Sequence, residues 1–358
     1  MGSVKTSVPW NRASYVFQTT PFNWKIVDGK KILITGSTGL IGAHLTRVFL
    51  VAAKTLNLDI HLILPVRDKE KATRLFGDLS KNITLIKWDL DNPDFGDVGF
   101  DFAFHLASPT SSSYFKNHPV ETIKQIINSS EALLSCAVKC NTKKVVFLST
   151  MEVYGDTKNA AKETMLGSMD TMVVRNCYPE AKKLVECLCA SYAEEFGIFC
   201  TVARLSQCFG EGVAQNDSRV FAEFARCVVS GKDIVLFSDG SKKNMYVSVD
   251  DAVAALLILL ERGENKHTYN VANEETYCSV KEMAYLIKKT FDLKPFEVRF
   301  ENNIEKEAIF RKSTDLRLDC SEIRKIGWNP SQNLLDMYFL MIAGWGFDPN
   351  CFRSLSHR

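Results

Sequence analysis

The sequence predicts an α/β fold: a doubly wound parallel sheet followed by a smaller C-terminal α/β substrate domain. Three observations predict it. The run Ile32-Leu33-Ile34-Thr35-Gly36-Ser37-Thr38-Gly39-Leu40-Ile41-Gly42 carries a short apolar strand straight into glycines at three-residue spacing. Apolar strands and helical patterns alternate from residue 31 to about residue 203, as parallel α/β units do. A second apolar strand, at 145–149, precedes Tyr178-Pro179-Glu180-Ala181-Lys182, which opens a helical run reaching residue 196.

Taken in order, strands are expected at 32–35, 60–66, 83–87, 102–106, 145–149 and 199–203, each a short apolar run of the kind buried in parallel sheets. An amphipathic helix follows the glycines over 43–54. After Arg204 the pattern turns irregular, with Gly210, Gly212 and the polar run Gln215-Asn216-Asp217-Ser218. Helices are then expected at 220–230, 249–264, 280–291 and 334–345, with a strand at 234–237. The division that follows is an N-terminal extension at 1–28, a dinucleotide-binding domain at 29–204, and a second domain from 205–248 and 265–358. The first 27 residues match no pattern; a packing arm and a partly ordered extension are both open.

Composition excludes several classes. At 358 residues two domains are expected, and 46% hydrophobic content suffices for a sizeable core. A net charge of +2 gives no argument for nucleic acid as a partner. The apolar run at 253–260 is too short to span a bilayer, so no membrane is expected. Trp10, Asn11 and Arg12 interrupt any signal-peptide pattern. Eleven scattered cysteines, without paired or metal-ligand spacing, point to reduced thiols, a cytoplasmic location and no metal. Cys136, Cys140, Cys187 and Cys189 lie in helical patterns and read as packing residues. No internal repeat appears.

The glycine run has the strand–turn–helix context of a dinucleotide site. Gly36 permits the tight turn, Gly39 lets backbone approach a pyrophosphate, and Gly42 lets helix pack on strand. Ser37, Thr38, Leu40 and Ile41 complete the loop and open a helix whose N–H groups and dipole face the phosphates. An acidic residue about 20 positions further on normally binds the ribose of NAD. Here that region reads Pro65-Val66-Arg67-Asp68, so Arg67 meets the 2′-phosphate of NADP or stacks on adenine. Four-residue spacing puts Tyr178 and Lys182 on one helix face. Thr150 and Glu152 stand at the carboxyl end of a strand, where doubly wound sheets bind ligands. A lone YxxxK is equally an ordinary surface pair; the glycine turn and strand-end Thr150, in this order, set it apart.

Further pieces are Asp89-Leu90, His105-Leu106-Ala107-Ser108, Tyr246-Val247-Ser248-Val249-Asp250-Asp251, Tyr269-Asn270-Val271-Ala272-Asn273 and Ile326-Gly327-Trp328-Asn329-Pro330. With these, residues 31–345 resemble an extended short-chain dehydrogenase/reductase of the nucleotide-sugar type. Within that group the chain is most similar to UDP-glucuronate decarboxylases (UDP-xylose synthases) and UDP-apiose/xylose synthase. Local support comes from Pro109 after His105-Leu106-Ala107-Ser108, His118-Pro119-Val120-Glu121-Thr122-Ile123, residues 149–156 and Arg175-Asn176-Cys177-Tyr178.

The resemblance implies a Rossmann-type fold to which helix 249–264 returns, NAD as cofactor, a UDP-sugar substrate, and a homodimer formed through helices near 119–138 and 178–196. It implies cofactor contacts from Asp89, Leu90, Leu106, Ala107, Ser108, Tyr178 and Lys182, and substrate contacts from Ser108, Arg175, Gln207, Arg219 and Asn244. Tyr178 is the expected base for a sugar hydroxyl. Its ordinary pKa of ~10 is too high for that role, so Lys182 and the positive nicotinamide are expected to stabilise the phenolate. Thr150 holds the same hydroxyl, and the cofactor carries the hydride. A ketone at carbon 4 then opens decarboxylation, 4,6-dehydration or epimerisation, with Glu152 serving as base near carbon 5 or placing a water. Arg175 suits a bidentate grip on a substrate carboxylate.

Departures from the pattern narrow the choice. Met151 stands where 4,6-dehydratases place an Asp, and a thioether cannot donate a proton. Ile126, Ser129-Ser130, Gln207 and Asn244 replace the usual Asn, Gly-Thr, Asn and Arg. Lys242, Lys243, Arg219, Arg311 and Arg317 are candidates to replace the lost phosphate contact. Alternatives are a 4-epimerase, opposed by Glu152; an NADPH-dependent 4-keto-sugar reductase, favoured by Arg67; and a cofactor-sensing regulator, opposed by the intact Thr150, Tyr178 and Lys182.

Overall fold

The computed structural model describes residues 8–77, 82–155, 157, 159–165, 167–291, 296–301 and 316–352. The chain begins with α1 (Val8–Thr19), then alternates through β1 (Lys30–Thr35), α2 (Leu40–Leu56), β2 (Ile60–Val66), α3 (Lys69–Phe76), β3 (Ile83–Lys87) and β4 (Phe102–His105). It continues through α4 (Ser112–Asn117), α5 (Pro119–Lys139), β5 (Lys144–Thr150), α6 (Cys177–Phe196) and β6 (Cys200–Leu205). The remainder is β7 (Gln207–Phe209), α7 (Val220–Ser230), β8 (Ile234–Leu236), β9 (Lys243–Ser248), α8 (Val249–Arg262), β10 (His267–Val271), β11 (Asn273–Ser279), α9 (Val280–Thr290), β12 (Val298–Phe300), α10 (Ser321–Lys325) and α11 (Leu334–Gly344).

Seven strands form one sheet in the order β3-β2-β1-β4-β5-β6-β10, every neighbouring pair parallel. Strand side chains alternate between faces, and the core shows that period directly. Ile32, Ile34, Phe102, Phe104 and Val146 pack toward α1, α2 and α8. Leu33, Ala103, Val145 and Phe147 pack toward α5 and α6. Strand order reverses between β1 and β4, which places the ligand crevice at the carboxyl ends of those strands.

A second core, built on Phe209, Phe221, Phe224, Tyr246, Met283, Ile287 and Tyr338, gathers α7, α9 and α11. It is backed by a three-stranded sheet, β11-β9-β7, and a two-stranded one, β12-β8. The sequence does not predict β7, β9, β10, β11 or β12 as strands; they are short and mix polar with apolar residues, so no period stands out. β10, within the stretch 265–358, pairs with β6 and completes the large sheet.

Residues 8–19 are a packing element. α1 lies on α2, α8 and α11, with Ala13 and Val16 buried. Its Arg12 donates through Nε to Asp250 Oδ2 at 2.9 Å. His44 of α2 lies 2.8 Å from the same carboxylate, and Gln332 Nε2 donates to it at 2.5 Å. Burial works to raise the Asp250 carboxyl, but His44 and Arg12 overcome it and leave it below its ordinary value. Arg12→Met is expected to destabilise the chain by about 2 kcal/mol, since hydrogen bonds to buried charges are the strong ones. A lowered urea midpoint at unchanged slope checks this. Among the described residues no helix is long and apolar enough to cross a membrane.

Candidate active site

β1 delivers the glycine loop to the crevice. Gly36 has φ +69°, and a Cβ there would meet the Ala107 nitrogen at 2.9 Å. A Cβ on Gly42 would lie 2.2 Å from the Gly36 carbonyl oxygen, so only glycine fits. Gly39 donates to that carbonyl at 2.9 Å and caps α2, with no side chain bonded to the helix N-terminus. Leu40 and Ile41 therefore open a helix whose first N–H groups face the crevice uncapped. Ser37 Oγ and Ser108 Oγ are buried without a hydrogen-bond partner. Orphaned hydroxyls, a cradle that a Cβ would fill and an uncapped helix end together fit a bound dinucleotide.

Behind the loop, Thr35 Oγ1 accepts the N–H groups of Leu106 and Ala107 at 3.0 and 3.1 Å. Its own proton is thereby directed to His105 Nδ1, 2.9 Å away. His105 Nε2 then donates to Ser130 Oγ at 3.1 Å. Burial, helped by Lys182, pushes His105 down to about 3, so it stays neutral. Ser130, one of the departures, has a place in this scaffold.

β5 ends in Thr150, whose Oγ1 accepts the Glu152 N–H at 3.2 Å and starts a single 3₁₀ turn, Met151–Tyr154. α6 places Tyr178 and Lys182 opposite. The Thr150 hydroxyl lies on the phenol side of Tyr178 and works to lower its pKa. The Tyr178 ring stacks on Phe115, with centroids 4.4 Å apart and planes at 10°. Arg175 reaches Glu152 Oε2 at 3.1 Å, and its guanidinium lies 5.1 Å from the Phe115 centroid. Arg175 Nη1 is buried without a partner. Thr150, Glu152, Arg175, Tyr178 and Lys182 are thus brought together.

The electrostatics differ from the expectation. Burial and then the Glu152 charge push the Tyr178 phenol well above its ordinary value; Thr150 and Arg175 pull it down without offsetting them. The expected pull from Lys182 is not what governs the phenol here. Lys182 instead donates to the Leu148 carbonyl at 2.8 Å and lies 4.7 Å from the Phe147 centroid. Burial pushes its ammonium down to about 7, against the charge of Glu186.

The other expected contacts lie further out. Arg67 is exposed just past β2, while Asp68 caps α3. Asp89 folds back on the N–H groups of Asp91 and Asn92, with Leu90 half-buried beside it. Gln207 opens β7 opposite Tyr246. Arg219 is held by Asp217, Nη2 to Oδ2 at 2.6 Å. Asn244 is buried on β9 opposite Cys278. Lys243 and Arg317 both lie against the Tyr277 ring, at 5.4 and 5.5 Å from its centroid. Arg311 and Asp156 fall outside the described residues. Sequence reasoning missed Phe115, Glu186 and Arg204. For Glu186 a signal existed: Tyr178, Lys182 and Glu186 repeat at four-residue spacing along one helix face.

Among solved structures, UDP-glucose 4-epimerase from Thermotoga maritima superposes with a TM-score of 0.75 at 22% identity, covering 88% of this chain and 98% of that one. DesIV, a dTDP-glucose 4,6-dehydratase from Streptomyces venezuelae, gives 0.73 at 19% identity, covering 88% and 97%. At such identities these likenesses show the fold. UDP-glucuronic acid decarboxylase 2 of Arabidopsis thaliana is 27% identical over 88% of this chain and 68% of its own length. UDP-glucuronic acid decarboxylase 1 of Danio rerio is 30% identical over 73% of this chain, a match spanning 60% of that relative. The sequence pattern of the NAD dependent epimerase/dehydratase family matches residues 32–272, from β1 and its glycine loop through Tyr178 and Lys182 to the end of β10. With that match running through the parallel sheet and the crevice just described, the chain belongs to the NAD dependent epimerase/dehydratase family.

Proposed function

We propose that the chain decarboxylates a UDP-sugar acid, UDP-glucuronate being the substrate of choice, with NAD as a recycled cofactor. The observation that carries this reading is the Glu152–Arg175 pair beside Tyr178, with Arg175 Nη1 buried and unpartnered. A buried guanidinium N–H without an acceptor is costly, and a substrate carboxylate would supply one. Met151 stands where a dehydratase needs an acid, and it is buried in the core. That favours decarboxylation over 4,6-dehydration.

Gly36, Ser37, Gly39 and Ser108 would hold the dinucleotide, with Lys182 nearby. When bound, the cofactor would supply the hydride acceptor for carbon 4 and the hydride for its later reduction. Tyr178 takes the carbon 4 hydroxyl proton, with Thr150 orienting that hydroxyl, and gives the proton back when the ketone is reduced. In between, the bond from carbon 5 to the carboxylate breaks, its electron pair moves toward the carbon 4 carbonyl, and carbon dioxide leaves. Carbon 5 then takes a proton delivered from the Glu152 side. Lys243 and Arg317, converging on Tyr277, are suited to the diphosphate in place of the arginine that Asn244 replaces.

Other features extend the reading. Val120 and Ile123 of α5 and Leu184 of α6 are exposed apolar residues on adjoining helices, which supports a homodimer through that face. Eleven unpaired cysteines support a reducing compartment such as the cytoplasm. Arg67 leaves NADP as the second cofactor to test. Incubation of the holoenzyme with UDP-glucuronate is expected to release carbon dioxide and yield a UDP-pentose by mass spectrometry. Absence of both, and of any 4-keto product, overturns the reading.

A further inference from the structure

A buried ion pair lies directly behind the reaction centre. Glu186 stands one helical turn past Lys182 on α6 and is 9% exposed. Ser149 Oγ donates to its Oε1 at 2.5 Å. Arg204 of β6 donates through Nε to both carboxylate oxygens at 3.1 Å and through Nη2 to Oε2 at 2.6 Å. The other arm of Arg204 donates to the Tyr154 hydroxyl at 2.8 Å and to the Glu163 carbonyl at 3.0 Å. Tyr154 closes the 3₁₀ turn that carries Glu152, and its hydroxyl donates to Asn270 Oδ1 of β10 at 2.7 Å.

This network touches three carriers of the reaction centre: β5, the 3₁₀ turn after it, and α6. Ser149 precedes Thr150, Tyr154 follows Glu152 by two residues, and Glu186 shares a helix with Tyr178 and Lys182. A buried ion pair adds little net stability against an apolar replacement, so stability alone does not account for it. A forked, fully bonded carboxylate does fix the distance and angle between the elements it joins.

We propose that Glu186 is a positioning residue: held by Arg204, it fixes Ser149 and Thr150 against the helix that carries Tyr178 and Lys182, and it sets negative charge one turn from the Lys182 ammonium. This rests on the proposed role of Tyr178 as base and on Lys182 standing beside the bound dinucleotide. The groups facing Lys182 are Glu186 and Cys189 on its own helix and His105 on β4, with Arg204 of β6 beyond Glu186. Of these, Glu186 is the leading charge that opposes burial and favours the protonated Lys182.

The test is Glu186→Gln in the holoenzyme, which keeps the size and a hydrogen-bonding side chain but removes the charge. The alkaline limb of kcat is expected to move to lower pH by about one unit, about a tenfold loss on that limb, with KM little changed. In lysine-labelled protein, the Lys182 side-chain carbon signal is expected to titrate at correspondingly lower pH. Should Glu186→Gln not fold, the double variant Glu186→Gln with Arg204→Gln removes both buried charges and is expected to move Lys182 in the same direction by a smaller amount. An unmoved Lys182 titration with an unmoved pH profile overturns the proposal. The titration is read without turnover. A shifted Lys182 in protein that releases no carbon dioxide therefore defeats the decarboxylase reading while supporting the positioning role.

Discussion

Tyr178→Phe is expected to lower turnover by about 10²–10⁴-fold while the protein still binds its cofactor. The size follows from what is removed. Phenylalanine keeps the ring, so the 4.4 Å stack on Phe115 and the packing of α6 persist. What goes is the hydroxyl on which Thr150 acts, and with it the group proposed to move the carbon 4 proton. Burial and Glu152 hold the phenol above its ordinary value, so in the free chain it is protonated at neutral pH. Ionisation then depends on positive charge brought in with the cofactor. The rate of carbon 4 oxidation is therefore expected to rise with pH through the neutral range, and this rise should vanish in the variant. Single-turnover absorbance of reduced nicotinamide reads the step directly, and dinucleotide titration by calorimetry reads binding separately. Unchanged turnover would remove Tyr178 from the role of base.

What the sequence made legible is local. The glycine loop can be read because its constraint is steric and short-ranged: the 2.2 Å approach of a Gly42 Cβ to the Gly36 carbonyl lies within one turn of chain. Tyr178 and Lys182 can be read because a helix fixes which residues share a face. Most strands of the large sheet can be read because both faces are buried and the runs are apolar throughout. What escaped is non-local. Arg12 finds Asp250 across 238 positions, and Tyr154 finds Asn270 across 116. No spacing rule links such pairs. Glu152 and Arg175 are only 23 positions apart, yet their pairing depends on how the 3₁₀ turn after β5 faces the start of α6. Each was legible as a candidate alone, one as a base and the other as a carboxylate grip. That they meet across the crevice is what the fold adds.

Glu152→Gln is expected to stop the reaction after oxidation, cutting UDP-pentose formation by about 10²–10⁴-fold while carbon 4 oxidation continues. The amide retains the shape of the side chain and an oxygen for Arg175, so the 3₁₀ turn and the crevice should survive. The charge is lost, and two consequences of opposite sign follow. Glu152 is the leading charge that raises the Tyr178 phenol, so its removal lets the phenol ionise at lower pH. Oxidation is then expected to proceed at lower pH than in the unaltered protein. Proton delivery at carbon 5, in contrast, loses its donor side, and the oxidised sugar nucleotide accumulates. A carboxylate with a purely structural role would slow both steps or neither. Rapid-quench mass spectrometry across a pH series distinguishes these cases: accumulated oxidised sugar together with an acid-shifted oxidation step is the expected pattern. A normal product profile would show that Glu152 takes no part in the chemistry.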